Sequence, residues 1–123
     1  MKTFTDFLLE REYKVFDESF ISEMANLGKN TTQLPVVIYV SDRRGVNHGP
    51  RIKCSSEYGN YWSGETFTVT IDPNPKIIGT SKKIKTSDLN LITDWVKLNY
   101  TALLKYWNMN IDIGEFIKEM KTV

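Results

Sequence analysis

The run PVVIYVS, residues 35–41, limits what this chain can become more than any other stretch. It is β-branched and aromatic, and a proline opens it, which together mark a strand and its start. Its apolar residues do not alternate with polar ones. A strand that is apolar on both sides must be covered on both sides, so it belongs inside a sheet. Two further runs supply its neighbours. RIKCS, residues 51–55, puts Ile52 and Cys54 on one side and Arg51, Lys53 and Ser55 on the other. ETFTVTID, residues 65–72, points Phe67, Val69 and Ile71 one way and Thr66, Thr68 and Thr70 the other. PNPKIIG then breaks the pattern and leaves room for a short edge strand.

Helical spacing flanks these strands. DFLLEREY, after Thr3 or Thr5 as a cap, predicts one N-terminal helix. DESFISEMANLG predicts a second, with Asp17 at its N-cap and Phe20, Met24 and Leu27 on one face. Gly28 is placed to end it in a left-handed cap. KNTTQLP reads as a loop. In the last third, TSDLNLITDWVKLNYTALLKYWN predicts one long helix capped by Thr86 or Ser87, with Asp88 complementing its dipole. Leu91, Trp95, Leu98 and Ala102 form one stripe. Ile92, Val96, Leu103, Tyr106 and Trp107 form another, so the helix should lie across a sheet face or at a subunit interface. GEFIKEMKTV adds a final short helix. The expected fold is α+β in two layers: N-terminal helices (1–28), a three- to four-stranded antiparallel sheet (34–79), a long helix (86–108) packed on it, and a short C-terminal helix (112–121).

A chain of 123 residues can bury one modest core and reads as a single domain. No apolar run approaches the roughly 18 residues needed to cross a membrane. Asp6, Glu10 and Glu12 interrupt the N-terminus too early for a signal peptide, so a cytoplasmic protein is expected. One cysteine, Cys54, excludes an internal disulfide, and one histidine beside it cannot complete a structural zinc site. The net charge of +1 hides an uneven distribution. Residues 1–28 hold three bases and six acids, residues 29–85 nine bases and four acids, and residues 86–123 four bases and five acids. The middle of the chain is a basic block that would attract an anionic partner.

That block contains SDRRGVNHGPRIKCSSEYGNYW, residues 41–62. Arg43 and Arg44 sit at the tip of a turn, His48 lies in the same loop, and Arg51 and Lys53 project from one face of the next strand. Tyr58, Tyr61 and Trp62 follow. Guanidinium groups grip phosphate in a bidentate way and aromatic rings stack on bases, so these residues are the types needed to hold a nucleotide. Lys82, Lys83 and Lys85 would add to the field. The plainer alternative is that the bases keep a strand edge soluble. His48 and Cys54 should lie apart, with Cys54 in the core, so no nucleophilic pair is expected and no catalytic residue is assigned. Glu57, Glu65 and Asp72 lie at strand ends, where a metal-dependent hydrolase would place its acids. Asp72 before Pro73 is more simply a turn residue. No cofactor and no metal ligand set is expected.

The order of parts, with the HGPRIK strand start, the Thr-rich strand ending in IDP and the helix ending in LLKYWN, resembles a family of small bacterial proteins of unknown function over about residues 36–108. Members of that family carry a Pro-Pro-His-x-His strand start, and some are encoded near toxin–antitoxin-like partners. This chain departs from the pattern where chemistry would matter, with Arg51 and Lys53 in place of the two histidines. The opening MKTFTDFLLE resembles small accessory proteins of tailed phages, which implies a host-cytoplasmic, anti-defence role.

The leading expectation is a small, non-enzymatic, homo-oligomeric protein that sequesters a phosphate-bearing, nucleotide-like ligand through Arg43, Arg44, His48, Arg51, Lys53, Tyr58, Tyr61 and Trp62. The alternatives are a protein–protein inhibitor of a host defence or toxin–antitoxin component, and a metal-dependent hydrolase. No membrane partner is expected.

Overall fold

The computed structural model describes residues 24–59, 65–79 and 81–123. Its elements are β1 (Met24–Leu27), α1 (Lys29–Thr32), β2 (Ile38–Ser41), β3 (Arg51–Ser55), β4 (Thr66–Thr70), β5 (Ile77–Ile78), α2 (Thr86–Leu98), α3 (Tyr100–Trp107) and α4 (Ile113–Glu119). The strands form one five-stranded sheet in chain order, every pair antiparallel. The fold is α+β, as the alternation of strand and helix periods implies.

The strand patterns explain the sheet. β2 is an interior strand, and Val36, Val37, Ile38, Tyr39 and Val40 are all buried, as its two-sided apolarity requires. On β3 and β4, Ile52, Cys54, Phe67 and Val69 face the core, while Arg51, Lys53, Thr68 and Thr70 share the opposite face. Ser55 departs from the sequence reading. It is buried, and its hydroxyl donates to the Glu57 carbonyl at 3.1 Å. β5 is a two-residue edge strand, too short to template further pairing.

Two N-terminal expectations need correction. Met24–Leu27 is a strand, not the end of a helix, and this raises the sheet from three or four strands to five. Met24 and Leu27 fit a helix face, but Ala25 and Leu27 equally fit one face of a strand. The ladder to β2, from Met24 opposite Ser41 to Leu27 opposite Ile38, decides between them. Gly28 is therefore no left-handed helix end: it is extended at φ −78°, ψ 174° and starts α1, where KNTT forms a single turn instead of loop. The helix expected earlier, over DFLLEREY, and the N-terminal part of DESFISEMANLG lie outside the described residues.

The core fills the space between one sheet face and the helices. Leu34, Ile38, Val40, Ile52, Cys54, Phe67 and Val69 meet Ile92, Trp95, Val96, Leu103, Tyr106 and Phe116 there. The long helix is broken at Asn99 into α2 and α3. Asn99 is 3% exposed, and every polar atom of its side chain is satisfied. Its Nδ2 donates to the carbonyls of Trp95 and Lys121, both at 2.9 Å, and its Oδ1 accepts the Lys121 N–H at 2.7 Å. An asparagine at a helix break thus clips the C-terminal tail to the core. The clip also holds α4, whose Asp112 and Glu115 form a reciprocal capping box. Phe116 then packs against the Trp95 and Tyr106 rings at 6.4 and 6.0 Å. Leu91 and Leu98 do not join the buried stripe with Trp95 and Ala102. Both are exposed.

Losing the Asn99 amide strands two backbone groups of Lys121, while the Trp95 carbonyl keeps its bond from the Asn99 N–H. Asn99→Ala should lower unfolding free energy by about 1–3 kcal/mol in urea titration. Deletion of residues 121–123 should do likewise. The two changes together should cost clearly less than their sum, since each removes the same bonds. Strict additivity would show that the clip carries no energy.

Candidate functional site

The end of α3 organises the basic loop. A helix leaves its last four carbonyls without internal partners. Here all four are satisfied. Leu104, Lys105 and Tyr106 accept from the N–H groups of Asn108, Asn110 and Met109 at 2.9, 2.8 and 3.0 Å. The crossed bonds to Asn110 and Met109 make a Schellman motif with Met109 at its left-handed position. The fourth carbonyl, of Trp107, accepts the backbone N–H of Arg43 at 3.0 Å. The loop between β2 and β3, residues 42–50, therefore docks on the negative end of a helix, where its positive charges are favoured.

A buried carboxylate shapes the loop itself. The Asp42 side chain is 6% exposed, and its Oδ1 accepts the Arg44 N–H at 3.0 Å in a local turn. Its two oxygens also take the Arg44 guanidinium, at 3.2 and 3.1 Å from Nε and 2.8 Å from Nη2. This forked geometry fixes Arg44 where a lysine would swing freely. Gly45 follows at φ 72°, which reverses the chain without Cβ strain. No described residue pairs with the exposed Arg43 guanidinium. His48 lies with its ring centroid 5.8 Å from that of the buried Trp107. Its Nδ1 is 2.9 Å from the Gly49 carbonyl, which requires that nitrogen to carry the proton.

Arg43, Arg44, Val46, His48, Trp107 and Met109 together line an open groove of about 370 Å³. The Arg44 and Met109 side chains also line a second groove of about 350 Å³, whose other walls include Asp42, Asp112 and Glu115. Met109 has φ 63°, a backbone region that costs an L-residue roughly 1–2 kcal/mol.

The structure divides the residues singled out in the sequence. It brings Arg43, Arg44 and His48 together over Trp107. Arg51 and Lys53 share the sheet face away from the core and do not line the groove. Tyr58 lies at the start of α2. Its hydroxyl donates to Asp88 Oδ2 at 2.6 Å and accepts the Lys85 N–H at 2.9 Å. It thereby does the work expected of a Thr86 or Ser87 cap. Lys85 occupies the N-cap, and no side chain from the cap residue itself bonds the helix. Lys83 pairs with Glu57 at 2.9 Å, and so stands with Tyr58 near α2 instead of at the loop. Tyr61 and Trp62 lie outside the described residues.

Cys54 is fully buried, and burial pushes its thiol pKa far up, away from the thiolate a nucleophile needs. His48 stands apart from it in the exposed loop. Asp72 accepts the Asn74 N–H at 3.0 Å, a turn contact. Among the described residues, no three His, Cys, Asp or Glu side chains group closely enough to hold a metal ion. Nor is any described helix long and apolar enough to cross a membrane.

Sequence reasoning passed over Asp42, Val46 and Met109, and read Trp107 only as part of the last helix's apolar stripe. Asp42 carried one usable signal, an aspartate two residues before an arginine at a turn. The paired asparagines around Met109 marked a helix end without showing which residue turns left-handed. No protein-family model matches the chain, and no curated protein or solved structure does so.

The Tyr58 bridge has a measurable pH signature. The hydrogen bond to the Asp88 carboxylate holds the Tyr58 pKa above its usual value. A raised folded-state pKa contributes stability that is complete below the ordinary tyrosine range near 10 and is lost as pH rises through the folded value. Thermal midpoints of the wild type should therefore fall faster with alkalinity than those of Tyr58→Phe. Parallel profiles above pH 10 would show that the bridge is not formed in solution.

Proposed function

We propose that the protein binds a phosphate-bearing small molecule in the groove between the 42–50 loop and the end of α3. The observation that carries this reading is an arginine without a described partner beside one fixed by a buried carboxylate, in a groove that also holds the His48 ring. Arg44 is held in place by buried Asp42, and Arg43 beside it has no described partner, so its donors are open to an anion. Arg44 stays engaged with Asp42 through Nε and Nη2, which holds the loop in shape, and phosphate suits the forked donors of Arg43. The exposed His48 ring lies in the same groove, beside the buried Trp107 indole. These are features for holding a ligand, which favours binding and sequestration over turnover. The negative end of α3 opposes an anion there, but its carbonyls are already engaged by backbone N–H groups, which weakens that opposition.

The reading is tested by calorimetric titration with ribose 5-phosphate. Arg43→Glu should weaken binding about 10- to 100-fold, the range of a lost charge-assisted hydrogen bond. Lys53→Glu, on the other sheet face, should leave affinity within about twofold, and affinity should fall as sodium chloride is raised. Equal losses in both variants would place the site elsewhere, and an unchanged Arg43→Glu would remove the reading.

A further inference from the structure

We infer that Met109 selects the ligand's non-phosphate part, so that the groove takes a phosphate joined to a flat aromatic base in preference to a phosphate on a sugar alone. This rests on the anion-binding reading above and adds the ligand's second half.

The position after a helix cap in a Schellman motif usually holds glycine, because only glycine enters the left-handed region without Cβ strain. Met109 occupies it at φ 63°. The two hydrogen bonds of the motif are backbone bonds and would form equally with glycine. The side chain thus carries a conformational cost that glycine would not, and core packing does not offset it. Met109 is 45% exposed and lies outside the hydrophobic core. What it does touch is the groove, which it lines together with Val46, Trp107 and the cations of the loop. It also lines the adjoining groove, so the side chain stands at the rim common to both.

The groove therefore combines two chemistries. Arg43 offers charge, with the Asp42-paired Arg44 beside it. Val46 and Met109 offer apolar surface, and the His48 ring extends it above the buried Trp107. A ligand that matches both has an anionic group and a flat, weakly polar ring. A thioether suits that ring well, being polarisable, flexible and favourable at an aromatic edge. A nucleoside monophosphate has this form.

Titration of the full-length protein with adenosine monophosphate and with ribose 5-phosphate tests the assignment. The wild type should bind the nucleotide at least about tenfold more tightly, as expected for a stacked base. Met109→Gly should raise the thermal midpoint by a few degrees, because it relieves the left-handed strain. It should also weaken nucleotide binding about five- to tenfold and leave ribose 5-phosphate within twofold. Met109→Leu, which keeps an apolar side chain, should retain nucleotide affinity within about threefold. A residue with only a structural role would change the midpoint and leave the preference for the nucleotide intact, and that result would overturn the inference. So would equal affinity of the wild type for the two compounds. Binding of neither compound would overturn the anion site itself, and this inference with it.

Discussion

The carbonyl end of α3 is the point on which the candidate site depends. Its local turn supplies three of the four donors that end requires. The fourth comes from Arg43, in a loop between two strands more than sixty residues earlier in the chain. One backbone bond therefore ties the basic loop to the helical layer. It carries the cations of the loop to Trp107 and leaves the groove between them. The bases of the loop have a structural reason to be there, since positive charge suits a helix C-terminus. The same placement gathers guanidinium groups and the His48 ring within one concavity, which is what an anionic ligand with a flat ring would use.

A second constraint holds that helix end in position. α3 is aimed by the break at Asn99, and the break is held by the Lys121 backbone. The tail then brings α4 across the junction, where Phe116 meets both Trp95 and Tyr106. Tyr106 lies next to Trp107 in the chain, so core packing at Phe116 and groove geometry at Trp107 share one helical turn. The groove is built on a rigid element on one side and on a loop fixed by Arg44 on the buried Asp42 carboxylate on the other.

Much of the sheet was legible in the sequence because its strands carry an unambiguous period. In TFTVT every second residue is apolar, and no helix can satisfy that spacing. β2 was legible for the opposite reason, as unbroken apolarity needs cover on both faces. MANL was not legible, because four residues fit a helix face and a strand face alike and only pairing with β2 separates them. The break at Asn99 was hidden for a related reason. Asparagine is tolerated inside a helix, and its partner is a backbone segment 22 residues away.

The site was legible by composition and not by arrangement. The density of bases from Arg43 to Lys53 is visible in the sequence, but strand alternation and loop docking send them to different places. Tyr58 shows the same limit. It resembled a stacking residue, yet its hydroxyl was recruited to the start of α2. Trp107 resembled core and is buried, but its indole lies beside the His48 ring at the groove. Such roles are set by contacts distant in sequence.

The most direct test of the central claim is residue-resolved. Amide and indole resonances of the isotopically labelled protein would be followed by nuclear magnetic resonance while adenosine monophosphate is added. The account expects saturable shifts concentrated at the Arg43, Arg44 and His48 amides, the Trp107 indole and the Met109 amide, with Lys53, Thr68 and Thr70 unmoved. Saturable shifts centred on the sheet face around Lys53, or no saturable shift anywhere, would contradict it.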